Sequence, residues 1–146
     1  MLRTRGHTPA REAAVAAFSR LGEHGLVWYA IALAGARLDP ARAPAYRHAL
    51  RATALAFAAN QTIKLALRRP RPVLEGLPPL TGTMSARSYP SAHAATSFAA
   101  ARALPLPGIH LMAAAMALSR PWLGVHYPSD MLAGAALGTA VAELSR

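Results

Sequence analysis

The chain contains no cysteine among its 146 residues. Disulfide bonds, catalytic thiolates and cysteine-based metal sites are therefore excluded. Acidic residues are also scarce, with six against sixteen lysines and arginines, which gives a formal net charge of +10. Sustained alternation of polar and β-branched residues, the pattern of a β-strand, is absent as well. The sequence therefore predicts a single all-α domain over residues 1–146.

The positive charge could indicate a nucleic-acid partner or an anionic membrane. The chain is 53% hydrophobic and 15% charged, which is too apolar for a typical basic nucleic-acid binder. It also lacks aromatic stacking platforms and a basic helix. The arginines fall mainly between apolar runs, as in membrane proteins that meet anionic headgroups. We therefore expect a multi-pass protein of the cell membrane, with membrane lipids as partners and no nucleic acid.

Six segments are predicted to be helical. The first, Pro9–Leu21, is short and amphipathic, with Ala14, Phe18 and Leu21 along one face, and it would lie in the membrane interface or cap a bundle. Five apolar segments follow: Leu26–Leu38, about Ala43–Leu67, about Ala92–Pro105, about Gly108–Leu118 and Pro128–Leu144. The fold class expected is an all-α membrane helical bundle of about five spans plus the short N-terminal helix.

The length of these segments leaves an alternative. A span needs about 20 apolar residues, whereas runs of about 10–14 are more often core helices. Only the second segment is comfortably long enough, so a soluble helical bundle is the alternative on length. Polar helix ends that continue toward the headgroups would reconcile short runs with spanning. The arginines at the two ends of the bundle are nearly balanced, so the positive-inside rule does not assign the side of the site.

Three short motifs carry residues suited to phosphate chemistry. They are Lys64–Pro72 (KLALRRPRP), Tyr89–His93 (YPSAH) and Ser119–Asp130 (SRPWLGVHYPSD). If the five segments are antiparallel and joined in order, all three motifs lie at the same end of the bundle. The connection from Val73 to Tyr89 joins the first two motifs, and it is long enough to be an active-site cover or substrate-entry lip. A passive linker is the alternative.

The cations of these motifs fit a phosphoryl group. In phosphoryl transfer, negative charge spreads over three equatorial oxygens, so catalysis consists mainly of placing positive charge and donors around them. Arg71 and Arg120 can each engage two oxygens, while Lys64, the only lysine of the chain, acts as a point charge. The Ser91 hydroxyl and the free N–H groups of the following helix start add donors. Snorkelling toward headgroups is the alternative for any one arginine.

The histidines supply candidate proton-transfer and nucleophilic groups. His126 and Asp130 are four residues apart, which predicts that they share one helical face. The carboxylate would fix the imidazole tautomer and leave the other ring nitrogen free to attack phosphorus. A zinc half-site has the same spacing, but no further ligand set accompanies it, and helix stabilisation is a third interpretation. His93, at a helix start, could protonate a departing oxygen. We expect no metal or other cofactor.

These motifs resemble those of the type 2 phosphatidic acid phosphatase superfamily, whose site is shared with vanadium-dependent haloperoxidases. The family pattern is Lys, six residues, Arg-Pro; then Pro-Ser-Gly-His; then Ser-Arg, five residues, His, three residues, Asp. The first and third elements are complete here, and the second has Ala92 in place of glycine. Alanine keeps the backbone N–H that contacts phosphate in the family, so the change matters only if the position needs a positive φ.

The resemblance implies roles for individual residues. His126 would be the nucleophile that forms a phosphohistidine, Asp130 would orient it, and His93 would be the general acid. The phosphate would be held by Lys64, Arg71, Ser91, Arg120 and the N–H of Ala92. Within the family, the small size, the arginine and alanine bias and the segment Gly22–Tyr29 look like actinobacterial polyprenyl-lipid phosphatases, including the type that acts on decaprenyl-phosphoryl phosphoribose.

The function that this resemblance implies is hydrolysis of a lipid phosphate monoester or pyrophosphate by an integral membrane enzyme. A polyprenyl-linked substrate of cell-envelope synthesis is favoured, and phosphatidate or phosphatidylglycerol phosphate is the alternative. A non-catalytic membrane scaffold is the alternative of another class. A haloperoxidase is disfavoured because those enzymes are larger and soluble. A homo-oligomer stays open.

Overall fold

The computed structural model describes residues 4–146, which form six α-helices. Their bounds are α1 Pro9–Leu21, α2 Leu26–Leu38, α3 Ala43–Leu67, α4 Ala92–Ala103, α5 Ile109–Trp122 and α6 Pro128–Leu144. Short 3₁₀ turns at Glu23–Gly25 and Pro40–Arg42 precede α2 and α3. Within the described residues, β pairing is limited to one isolated bridge between Pro70 and Arg87. The all-α prediction is confirmed.

Local capping signals explain where several helices begin. The side chain of Thr8 accepts a hydrogen bond from the N–H of Arg11 at 3.3 Å, and proline occupies the first position of α1. The hydroxyl of Ser91 accepts from the N–H of Ala94 at 3.4 Å and caps α4. Helix α6 begins at Pro128, whose missing N–H would have had no partner in the first turn.

Helix α5 is longer than the sequence predicted. The expected end was Leu118, but the helix continues to Trp122 and includes Pro121 near its end. Ser119 does not break the helix, because its hydroxyl donates to the carbonyl of Met116 within the preceding turn at 2.7 Å. The third motif therefore starts inside the last turn of α5 rather than in the loop after it.

Helix α1 buries a different face from the one predicted. The buried residues are Ala16 and Ser19, whereas Ala14 and Leu21 are exposed and Phe18 is only partly buried. Small side chains let α1 approach its neighbours closely. The predicted amphipathic helix is thus present; Phe18 and Val15 pack against the core while partly exposed, and the fully buried side chain of α1 is Ser19.

Helix α4 lies at the centre of the bundle and packs against α3, α5 and α6. Its buried residues are mostly small: Ala94, Ala95, Thr96, Ser97, Ala99, Ala100 and Ala101. Glycines on α6 allow the two helices to touch. A Cβ at Gly138 would lie 2.0 Å from the carbonyl oxygen of Ala95, and one at Gly134 would lie 2.5 Å from that of Ser91. This close packing fixes the start of α4 beside the start of α6.

Larger side chains fill the remainder of the core. Trp28 of α2 is fully buried, and its indole N–H donates to the hydroxyl of Ser97 at 3.0 Å. Tyr46, Met116 and Ile109 belong to the same apolar cluster. Across residues 4–146, no helix is at once long enough and apolar enough to cross a membrane.

Candidate active site

A cavity of about 210 Å³ opens where α3 and α5 end and α4 and α6 begin. Residues of all three motifs line it: Lys64, Arg71, Ala92, His93, Arg120 and His126. Glu23 and His24, in the turn before α2, form another wall, and Gly82 to Ser85 of the long connection form its lip. The expected meeting of the motifs at one end of the bundle is therefore what the structure shows.

His126 lines the cavity and pairs with Asp130, which is fully buried. Nδ1 of His126 is 3.2 Å from Oδ2 of Asp130, and the same oxygen accepts from the N–H of Tyr127 at 2.9 Å. The two residues do not share a helical face as predicted, because His126 precedes α6, which begins at Pro128. They meet because the carboxylate of the first turn reaches back over the helix start. A carboxylate only accepts, so Nδ1 carries the hydrogen and Nε2 keeps its lone pair.

Arg71 supports the same tautomer of His126. Its Nη1 is 3.1 Å from Nε2 of the imidazole and donates to the carbonyl of Val125 at 2.7 Å, while its Nε donates to the carbonyl of Ser85 at 2.8 Å. Burial lowers the pKa of His126 to about 4, against the raising effect of the hydrogen bond to Asp130, and nearby cations lower it further. The imidazole is therefore neutral at pH 7, as a nucleophile must be.

Two further cations face the same cavity. Arg120 at the end of α5 is 4% exposed; its Nη1 donates to the hydroxyl of Ser19 at 2.6 Å, and its Nε is buried without a partner in the described structure. Lys64, in the last turn of α3, donates to the carbonyl of Arg87 at 3.1 Å. Within residues 4–146, Lys64, Arg71 and Arg120 make no ion pair. Buried cations without anionic partners favour a bound anion.

His93 is held by helix α1. Its Nε2 is 3.0 Å from the carbonyl oxygen of Ser19, and because a carbonyl only accepts, Nε2 carries the hydrogen. Ser19 thus contacts two predicted site residues, through its hydroxyl and its carbonyl. It was missed because nothing in the local sequence of α1 distinguishes this serine from a solvent-facing one.

The remaining predicted residues, Ser91 and Ala92, differ in position. Ala92 lines the cavity as the first residue of α4, whereas Ser91 is fully buried behind it. The N–H of Ser91 donates to the carbonyl of Asp130 at 3.0 Å, which ties α4 to α6. A direct phosphate contact by the Ser91 hydroxyl stays a prediction. Ala92 does not have the positive φ that would demand glycine, since the non-glycine residues of the described chain that do are His24 and Arg68.

Arg69 is a second residue that the sequence reasoning missed. Its Nη1 is 3.0 Å from Oδ1 of Asp130 and 2.8 Å from the hydroxyl of Ser129, and its guanidinium lies over the ring of Tyr127 at 4.1 Å from the centroid. Arg69 therefore binds the carboxylate oxygen that His126 does not use. The run Arg68-Arg69-Pro70-Arg71 contains this residue, but the sequence does not show which arginine faces the carboxylate.

The resemblance seen in the three motifs extends over most of the chain. The PAP2 superfamily matches residues 45–145, which is more than half of the sequence. The chain therefore belongs to the PAP2 superfamily.

Relatives and solved structures agree with this assignment. The decaprenylphosphoryl-5-phosphoribose phosphatase of Mycolicibacterium smegmatis is 42% identical over 122 residues, which cover 81% of this chain and 68% of the relative. The protein of the same name from Mycobacterium tuberculosis is 39% identical over 140 residues, covering 93% of this chain and 79% of the relative.

Two crystal structures share the fold. Aquifex aeolicus LpxE superposes with a TM-score of 0.83 at 24% identity, and the superposition covers 99% of this chain and 89% of the LpxE chain. The second is the structure described as the first transmembrane PAP2 type phosphatidylglycerolphosphate phosphatase from Bacillus subtilis. It superposes with a TM-score of 0.54 at 23% identity, over 99% of this chain and 88% of the Bacillus chain.

Proposed function

We propose that this protein is a membrane phosphatase that hydrolyses a polyprenyl-linked phosphate ester through a phosphohistidine at His126. The observation that carries the proposal is a neutral imidazole whose unprotonated Nε2 lies in a cavity lined by Lys64, Arg71 and Arg120, where it meets Nη1 of Arg71 at 3.1 Å. The relatives named for decaprenylphosphoryl-5-phosphoribose support a substrate in which the phosphate is carried on a pentose attached to a long prenyl chain.

The first chemical step forms the phosphoenzyme. Nε2 of His126 attacks phosphorus as the bond to the ester oxygen breaks, and the three cations take up the charge of the equatorial oxygens. The hydrogen bond from Nδ1 to Asp130 stabilises the positive charge that develops on the imidazole. For the acid role His93 needs a second ring proton, which the negative charge of a bound phosphate favours, and it gives that proton to the leaving oxygen.

The second step hydrolyses the phosphohistidine. His93, now neutral, accepts a proton from a water molecule as the water oxygen attacks phosphorus, and the bond from phosphorus to Nε2 breaks. Inorganic phosphate leaves, His126 returns to its neutral tautomer, and His93 is again protonated. Each step therefore uses groups that already line the cavity.

The membrane location is part of the same proposal. Helices α2 to α6 are the segments proposed to cross the membrane, with their polar ends in the headgroup layers. Large apolar side chains lie on the outer surface of the helices, with Leu111, Leu132 and Leu144 all at least 74% exposed. A surface of this kind is suited to lipid contact. Retention of the full-length protein in the membrane pellet after carbonate washing, with release by detergent, is expected; release by carbonate alone would contradict this part.

The activity is tested with the detergent-solubilised protein. Phosphate release is measured from prenyl-linked 5-phosphoribose, prenyl pyrophosphate, phosphatidate and phosphatidylglycerol phosphate, and the first is expected to be turned over with the highest kcat/KM. His126→Ala should abolish both turnover and the acid-labile phosphoenzyme trapped from labelled substrate. His110→Ala is the matched control, because His110 is exposed near the opposite end of α5. Full turnover by His126→Ala, or activity lost to EDTA and restored by magnesium, would refute the mechanism.

A further inference from the structure

We propose that the mouth of the cavity contains a hydroxyl-recognising subsite centred on Glu23, which selects esters whose phosphate is carried on a sugar or another polyol. This subsite rests on the proposed function, because it requires a phosphate ester bound among the three cations. It assigns a role to a residue outside the three motifs, and it names the chemical class of the group next to the phosphate.

Glu23 is an unusual wall residue for an anion site. Among the described residues that line the cavity it is the only acidic one, and within residues 4–146 its carboxylate makes no hydrogen bond or ion pair. It is half-buried in the 3₁₀ turn between α1 and α2. Its charge attracts Arg120 only at a distance, without an ion pair between the two side chains. A carboxylate near a phosphate dianion repels it, and a contact with another part of the ligand would offset this repulsion.

Glu23 also lines an adjoining cavity of about 280 Å³. The walls of the second cavity are Arg20, Glu23, Thr81, Gly82, Thr83 and Met84. Four of these residues, Glu23 and Gly82 to Met84, line the phosphate cavity as well, so the two cavities share these walls. A ligand with its phosphate on the cations would therefore place its next atoms beside Glu23.

The chemistry of these walls fits a hydroxylated ring. An ionised carboxylate only accepts hydrogen bonds, and it can accept from two adjacent hydroxyl groups at once. His24 and Phe57, packed edge to face at 5.5 Å, give the phosphate cavity an apolar wall suited to the C–H face of a ring. Thr81 and Thr83 add hydroxyls on the side of the second cavity. A simple alkyl chain would offer no hydrogen bond to the Glu23 carboxylate.

The lip of the subsite is anchored rather than loose. The N–H of Leu80 donates to the carbonyl of Leu123 at 3.0 Å, just beyond the end of α5. The hydroxyl of Thr83 donates to the carbonyl of Ser85 at 3.3 Å, and that carbonyl also accepts from Arg71. The wall that faces Glu23 is thereby connected to the phosphate-binding residues, which lets recognition of the ring position the phosphate.

The test compares two soluble substrates that differ only in hydroxyl groups. Ribose 5-phosphate and tetrahydrofurfuryl phosphate, which has the same ring size and no hydroxyl, are assayed with the solubilised full-length protein. Wild type should prefer ribose 5-phosphate by about tenfold or more in kcat/KM, because a polar wall rejects an analogue that leaves it unpaired. Glu23→Ala should bring this ratio below about threefold, and Glu23→Gln, which keeps one acceptor oxygen, should give an intermediate value.

Glu75→Ala is the matched control, because Glu75 is an exposed acidic residue of the long connection between α3 and α4 and lines neither cavity. It should keep the wild-type ratio. An equal loss on both substrates in Glu23→Ala would overturn the subsite and leave Glu23 as a charge partner of Arg120. A wild-type ratio near one would also overturn it. No phosphate release by wild type from either compound or from a prenyl-linked ester would overturn the proposed function, and the subsite with it.

Discussion

Replacing Ser19 with alanine is the most direct test of how helix α1 contributes to the site. The substitution removes the hydroxyl that accepts from Nη1 of Arg120 at 2.6 Å. It leaves the backbone carbonyl that holds His93 at 3.0 Å. Ser19 is completely buried and Arg120 nearly so, so the guanidinium loses a partner that solvent does not readily replace.

The magnitude follows from the charge and burial of this hydrogen bond. A hydrogen bond to a charged group contributes about 1.5–3 kcal/mol, and removing one partner of a buried donor exposes the full cost of desolvation. Arg120 already has one unsatisfied nitrogen, Nε. If the misplaced guanidinium loses this energy in the transition state, kcat/KM should fall by about 10- to 150-fold. A water molecule in the space left by the hydroxyl would give the lower end of this range.

The assay is a double-mutant cycle in detergent. Phosphate release is measured for wild type, Ser19→Ala, Arg120→Lys and the double variant, with thermal unfolding recorded for each. Because the serine acts through the arginine, Ser19→Ala should cost much less on the lysine background than in wild type. The reasoning is refuted if Ser19→Ala stays within twofold of wild type, or if the two losses simply add.

Three other predictions follow from contacts in the described structure. Arg69→Ala should lower kcat by about tenfold, roughly 1.4 kcal/mol of barrier, because it loses the contact with the carboxylate of Asp130 that orients His126. Arg68→Ala should stay within about twofold of wild type, because the Arg68 guanidinium donates only to a backbone carbonyl. Equal effects of the two substitutions would contradict this prediction. Gly138→Ala should destabilise the fold by about 2 kcal/mol or more in thermal unfolding, because its Cβ would lie 2.0 Å from a carbonyl oxygen of α4. Gly82→Ala should leave the stability unchanged, because the space around Gly82 is open. An unchanged stability of Gly138→Ala would show that α6 can shift freely. Burial lowers the pKa of His126 to about 4. We therefore expect kcat/KM, corrected for ionisation of the substrate, to stay level as the pH falls to about 5 and to decline only below it, where the nucleophile becomes protonated. A decline centred near pH 6.5 would argue against a buried neutral imidazole.

Much of the secondary structure was predictable because its signals are local. The predicted bounds of α1, α2, α3 and α6 match those of the structure. Glycines and prolines mark these boundaries, and their effects depend only on the backbone conformation of a few neighbouring residues. The prediction for α5 was wrong at its end, because the sequence does not show that Ser119 satisfies its hydroxyl inside the helix.

The site was predictable to the extent that motif spacing defines it. The order of the helices brings the three motifs to one end of the bundle, so the meeting of Lys64, Arg71 and His126 required only antiparallel packing. The catalytic and phosphate-binding roles given to these residues rest on the family pattern and are tested by the variants proposed above.

The sequence by itself determined the helices, the family motifs and the end of the bundle where they gather. Only the tertiary structure decided that Ser19 binds Arg120 and His93, that Arg69 rather than Arg68 holds Asp130, and which face of α1 is buried. The physical reason is sequence separation. Ser19 and Arg120 are 101 residues apart and Arg69 and Asp130 are 61 apart, so their contacts depend on how whole helices pack. No local propensity or periodicity records that packing.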